Sequence, residues 1–223
     1  MDIKIKIAIA SNKNFQEKTI PIILKSLLDN DIKKDDIVVF IAGHDYTDED
    51  TIDNIKYRYL DFNSFEYSPL IDIVENNLES EYWFLIHDTC KVGNTFKNLL
   101  YNIPYNKPQK IALKDSPSMS IGLYSYEYLK SVQNKLLDIK NKDYSNNSIN
   151  FWKNWGVPNE DYILWKTLPS PEIYNNNLNW KVLDYKNWYG TDTTRRTEYY
   201  YSLDIYKNKS NWGQTFNNMV IDI

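Results

Sequence analysis

The residues best placed to do chemistry stand where an apolar run stops. Tyr82-Trp83-Phe84-Leu85-Ile86 is a short buried-strand pattern that ends abruptly in His87-Asp88-Thr89-Cys90. A carboxylate at the end of such a strand lies at the mouth of a sheet. There Asp88 can hold Mg²⁺ or Mn²⁺ against phosphate oxygens, since these cations take oxygen ligands and keep several waters. Asp88 is equally suited to cap the next turn by accepting backbone N–H groups. Both readings stand on the sequence alone.

Two further constellations carry charge. In Trp155-Gly156-Val157-Pro158-Asn159-Glu160-Asp161 an acidic pair opens an apparent helix, where the helix dipole favours negative charge. One of Glu160 and Asp161 could instead face a cleft and accept a proton from a hydroxyl as general base. Near the C-terminus, Arg195 and Arg196 follow small hydroxylated residues, and Lys207 and Lys209 come shortly after. Arg grips phosphate bidentately, so a diphosphate clasp is one reading and a solvated basic tail the other. No GxxxxGK[ST] and no GxGxxG occurs, which argues against a P-loop or a conventional dinucleotide site. His44 and His87 lack zinc spacing, and Cys90 has no readable catalytic partners, so it is expected as a small buried residue.

The elements that must position these groups alternate. Residues 3–10 read as a strand and 11–14 as a polar loop. A helix is expected over 19–28, strands over 36–42 and 55–60, a helix over 69–78, then the strand ending at Asp88. Helices between apolar strands imply parallel crossovers and an open α/β sheet, whose ligands sit beyond the carboxyl ends of the strands. Ser11-Asn12, His44-Asp45 and His87-Asp88 fall at those ends. Beyond residue 90 the pattern weakens. Strands are expected at 110–113 and 119–123 and one helix at 126–137, with an irregular aromatic and basic tail from Trp180.

Composition narrows the class. The 223 residues suit one domain, and the net charge of −4 argues against sequence-independent nucleic-acid binding. One cysteine excludes an internal disulfide. No apolar run approaches the ~20 residues of a membrane span, and the charged N-terminus is unlike a signal peptide. The expected compartment is the cytoplasm.

Taken in order, these signals resemble the nucleotide-sugar glycosyltransferases of the A-type (GT-A) fold. The resemblance implies a single Rossmann-like α/β domain over 1–223, its mostly parallel sheet flanked by helices. Residues 1–90 would form a nucleotide-binding half, 91–180 a donor-sugar and acceptor half, and 181–223 a tail closing on the diphosphate. Ala10, Ser11, Asn12 and Asp45 would meet the nucleotide, and His87-Asp88 would stand at the family's DxD position. Gly122, in Ser118-Met119-Ser120-Ile121-Gly122-Leu123-Tyr124, would line the donor sugar. Asn159-Glu160-Asp161 matches the xED motif, with Asp161 or Glu160 as base. Arg195, Arg196 and Lys207 would hold the diphosphate of a UDP- or GDP-sugar. The cofactor implied is Mn²⁺ or Mg²⁺ on Asp88, and the acceptor a glycan hydroxyl. The chain departs from the family in having one acid where DxD has two. That departure motivates the alternative of a catalytically inactive carbohydrate-binding module on the same fold.

Overall fold

The computed structural model describes residues 3–64, 66–103, 105, 110–112, 121–140, 180–184 and 196–209. Its first half runs β1 (Ile5–Asn12), α1 (Gln16–Asp29), β2 (Ile37–Ala42), β3 (Asp48–Ile52), β4 (Ile55–Leu60), α2 (Tyr67–Glu75) and β5 (Tyr82–His87). Then come β6 (Cys90–Val92), α3 (Phe96–Tyr101), β7 (Lys110–Ala112), β8 (Gly122–Ser125), α4 (Tyr126–Ser131) and α5 (Gln133–Lys140). Three strands follow: β9 (Trp180–Asp184), β10 (Arg196–Tyr200) and β11 (Ile205–Lys209).

The main sheet has the order β3-β4-β2-β1-β5-β8-β7. Its centre, β4-β2-β1-β5, is parallel, and antiparallel strands close both sides. The chain leaves β1 through α1 to build one side and returns through α2 to place β5 on the other. The strand order therefore reverses between β1 and β5. Period-two alternation explains why helices cover both faces. Ile5, Ile7 and Ile9 join Ile23 and Leu27 of α1 in one core, whereas Ala8 joins Leu70, Ile73 and Val74 of α2 in the other. β2 is buried at all six positions, as a central strand must be.

The structure differs from the sequence expectation at several boundaries. Ser11 and Asn12 extend β1 instead of looping away, because Asn12 still pairs with Ala42 of β2. α1 starts at Gln16, so Pro21 lies inside the helix and one backbone rung is absent. The expected single helix over 126–137 breaks at Val132 into α4 and α5. β3 is unexpected: all five of its residues are exposed and it offers no apolar alternation. It forms because Asp53 and Asn54 take positive φ in the two-residue connection to β4, as primed hairpin turns require.

The largest difference concerns the region expected to be an irregular tail. Three of its segments are strands, and with β6 they form a second, antiparallel sheet of order β6-β11-β10-β9. Because β6 begins two residues after Asp88, this sheet is tied to the end of β5. Gly93 secures the junction. Its N–H donates to the Asp204 carbonyl at 2.7 Å, and a Cβ there would lie 2.3 Å from the Asp204 carboxylate oxygens. That carboxylate accepts from the Thr95 N–H and hydroxyl at 3.0 and 2.7 Å and holds the start of α3. Among the described residues no helix is long and apolar enough to cross a membrane.

Candidate active site

Ser11 and Asp88 mark the carboxyl ends of the two strands where the order reverses. Register sets Ala10 beside His87, and the Asp88 N–H donates to the Ala10 carbonyl at 3.0 Å. The parity of β1 and β5 sends Ser11 and Asp88 to the α1 face. There the Ser11 hydroxyl donates to Asp88 Oδ2 at 2.6 Å, and the Thr19 hydroxyl donates to the same oxygen at 2.6 Å. Thr19 Oγ1 also lies 3.1 Å from the Phe15 carbonyl, but it has one proton, and the shorter contact to a carboxylate takes it. Asp88 thus ties β1, β5 and the first turn of α1 together.

Asp88 is 8% exposed. Burial pushes its carboxyl above the ordinary range; the Ser11 and Thr19 hydroxyls, the Lys207 charge and the Thr89 N–H pull the other way. Lys207 arrives from the second sheet. It stands opposite Cys90 in the β6–β11 register, and the Asn208 N–H donates to the Thr89 carbonyl at 2.9 Å. Its cross-strand partner on β10 is Glu198. Glu198 is fully buried and its carboxylate accepts the Tyr200 hydroxyl. Lys207 is itself 4% exposed, so its charge acts where water is scarce.

Several expected site residues therefore meet at one end of the sheet. Ala10, Ser11, Asn12, His87 and Asp88 stand together, Gly122 pairs with Leu85 on the neighbouring strand, and Lys207 closes from beyond. Asp45 lies further out, past β2, where it is exposed and 3.7 Å from Lys13. Between them His44 packs against Tyr46 and Tyr59, and Gly43 turns the chain with φ +87°. Arg196 opens β10 opposite Lys209, which brings its backbone to the same end. Glu160, Asp161 and Arg195 lie outside the described residues. Cys90 is fully buried among apolar side chains, as expected of a small core residue.

Sequence reasoning missed two participants. Thr19 shares an α1 face with Ile23 and Leu27, at intervals of four, so a hydroxyl in an apolar stripe was its signal. Glu198 had none, since it stands in a run of polar and aromatic residues whose burial no hydropathy pattern announces.

The described residues do not build a cage for a divalent ion. Asp88 brings one carboxylate, and one of its oxygens already accepts two hydroxyls. Among the described residues no group of three His, Cys, Asp or Glu side chains gathers at any point. What the arrangement offers is a buried acid held by neutral donors, with an ammonium beside it, at the place where open sheets bind their ligands.

No protein-family model and no curated protein matches the chain. Among solved structures it is similar to residues 1–349 of S. aureus TarS, with 15% identity and a TM-score of 0.35. It is also similar to the same protein in complex with UDP, with 12% identity and a TM-score of 0.35. Each alignment covers 56% of this chain and 48% of the other, so the chain spans about half the length of the structures it matches.

Proposed function

We propose that this chain transfers a sugar from a nucleoside diphosphate donor, a UDP- or GDP-sugar, to a hydroxyl of a glycan. The observation that carries the reading is the meeting of Ser11, Thr19 and Asp88 at the reversal of strand order. Open α/β sheets bind ligands in that crevice, beyond the carboxyl ends of the strands. β1 leads into α1 without a glycine-rich loop, which sets the site apart from dinucleotide and P-loop binders.

In this scheme Ala10, Ser11, Asn12 and Asp45 meet the nucleoside, and His87 and Gly122 stand beside the donor sugar. Lys207, with Arg195 and Arg196, balances the charge that grows on the departing diphosphate. Asp161 or Glu160 takes the proton of the attacking hydroxyl. Mn²⁺ or Mg²⁺ on Asp88 would draw its remaining ligands from phosphate and water, and no step of the scheme depends on it.

A thermal-shift panel of nucleoside diphosphates and nucleotide sugars tests the reading. A ligand at a hundred times its Kd stabilises a fold by about 2.7 kcal/mol, enough to move the melting temperature visibly. One nucleotide should stand out, and its sugar conjugate should be consumed in the presence of a glycan acceptor. The engaged state of the Asp88 carboxylate favours a second reading, a glycan-binding module without chemistry. Stabilisation by oligosaccharides together with silence toward every nucleotide would select it.

A further inference from the structure

We infer that the α1-side face of the β3–β4 hairpin is a saccharide-docking surface, suited to neutral or amine-bearing sugar rings and closed to acidic ones. The inference rests on the reading of this chain as one that engages a glycan. It names where that glycan is held and what charge it carries.

The two faces of the hairpin are unlike. Register sets Glu49 opposite Arg58 and Thr51 opposite Lys56, and on that face Glu49 pairs with both cations. On the other face Asp48 stands opposite Tyr59 and Asp50 opposite Tyr57. Both tyrosines pack, half-buried, against the α1-side core. Among the described residues neither aspartate has a cationic partner. The aromatic surface continues past Tyr59. His44 lies 5.1 Å from the Tyr59 ring and 5.2 Å from that of Tyr46, which is 52% exposed. His44 follows Gly43 and donates its N–H to the Leu60 carbonyl at 2.9 Å, so this surface starts at the lip of the crevice.

The hydrogen bonds of β3 choose the occupant. It is the last strand of its sheet, and a free edge ordinarily invites a peptide strand. Here the edge is taken. In a two-residue hairpin the N–H groups of Asp48, Asp50 and Ile52 turn toward β4, and those of Glu49 and Thr51 turn outward. The outward pair donate to Asp48 Oδ1 at 2.8 Å and to Asp50 Oδ1 at 2.7 Å. Each carboxylate is thereby steadied, with one oxygen engaged and the other beside a ring. That suits a single hydroxyl or ammonium donor better than a forked guanidinium, which wants both oxygens. Ring faces offer apolar contact to the C–H side of a sugar, and the oriented oxygens accept from its hydroxyls. Asp48 and Asp50, with exposed Asp53 at the turn, repel an acidic saccharide.

Titration calorimetry in physiological salt tests this with cellohexaose, a glucosamine hexamer, a galacturonate hexamer and hexalysine. UDP and GDP are titrated separately. At least one of the first two should bind, and the galacturonate hexamer should not. Tyr46→Ala should weaken that saccharide about tenfold and the double change Asp48→Asn/Asp50→Asn about fivefold, with the urea midpoint and nucleotide affinity unmoved. Saccharide binding with no nucleotide binding supports the inference and selects the module without chemistry. Binding of hexalysine alone overturns the inference in favour of a basic peptide. Tighter binding of the galacturonate hexamer, or saccharide binding that neither variant weakens, also overturns it. Nucleotide binding with no saccharide binding overturns it and leaves the transferase reading standing. Silence toward every probe and both nucleotides takes down both.

Discussion

Two buried aspartates, on opposite sides of the main sheet, are satisfied in different ways. Asp72 of α2 is 1% exposed and meets Arg58 of β4, whose Nε donates to Oδ2 and whose Nη2 donates to Oδ1 at 3.1 Å. Asn76 adds a third donor at 2.7 Å, and Arg58 continues to Glu49 of the edge strand at 2.5 Å. This network pins a helix and a hairpin to one edge, away from the strand reversal. Asp88 is held by two neutral hydroxyls and lies at the reversal itself. A carboxylate matched by a forked guanidinium is committed to structure. One held by hydroxyls beside a lysine keeps a field that a ligand can feel.

The comparison breaks most visibly at Arg58. Replacing it with Met strands the Asp72 charge in the core, and removing one partner of a buried pair costs about 3–5 kcal/mol. Urea unfolding should report that loss, while the Kd for the nucleotide, measured below the new transition, stays within about twofold. Weakening by an order of magnitude would mean that the two regions are coupled and the division is false. Asp88→Asn should do the reverse. The amide oxygen still accepts from Ser11 and Thr19 and the buried charge is gone, so the urea midpoint at pH 7 should change little, yet nucleotide affinity measured in Mn²⁺ should drop about tenfold or more, because the carboxylate that would hold the ion is lost. An unchanged affinity would reduce Asp88 to a structural knot.

The same pair differs from its surroundings in pH dependence. Burial, the first cause in each case, raises the carboxyls of Asp88 and Asp72, so on them the folded chain binds protons that the unfolded chain has released. Their contribution is fully present below the unfolded value and is lost as pH rises through the folded one. Glu49 has the opposite sign. Its pKa is lowered, first by the Lys56 hydrogen bond, so its contribution is lost as pH falls. Wild type should therefore gain on Asp88→Asn as pH drops from 7 toward about 4, measured by urea midpoints. Parallel curves would show that burial does not perturb Asp88.

The contrast also explains what could be read in advance. Strands such as β1, β2 and β5 announce themselves because Ile, Val and Phe alternate or run continuously, and their polar ends locate Ser11 and Asp88. The second sheet stayed hidden because its buried positions include Thr197, Glu198, Lys207 and Asn208. Those residues are interior only because β6, β10 and β11 pair, a long-range fact that no local window contains. Lys207 was singled out for its charge alone. Its cross-strand acid, and with it the reason that a lysine can be buried there, came only from the register.

Thr19→Val probes the link between α1 and Asp88 at smaller cost. The side chains are nearly isosteric, so the loss is one hydroxyl to a buried carboxylate, about 1 kcal/mol, with Ser11 still bound. Adding Ser11→Ala should cost more than the sum of the two single changes, because they share one oxygen and the second leaves it without a hydroxyl donor. Simple additivity in a double-mutant cycle would show that the knot does not act as a unit.

The smallest effect is expected at Asp45, and it decides how far the site reaches. Its side chain is 97% exposed, and its 3.7 Å pairing with Lys13 is the kind of surface contact that contributes little to stability. Asp45→Asn should therefore leave the urea midpoint unchanged. If the crevice extends past Gly43 to this rim, the carboxylate accepts a hydrogen bond from the nucleoside and the variant lowers affinity for the nucleotide severalfold, less so at low salt, where loss of the negative charge also eases repulsion of the phosphates. A nucleotide Kd that is the same for wild type and variant at every salt concentration confines the site to the ends of β1 and β5. Asp45 would then join Asp72 as an acid that the ligand never meets.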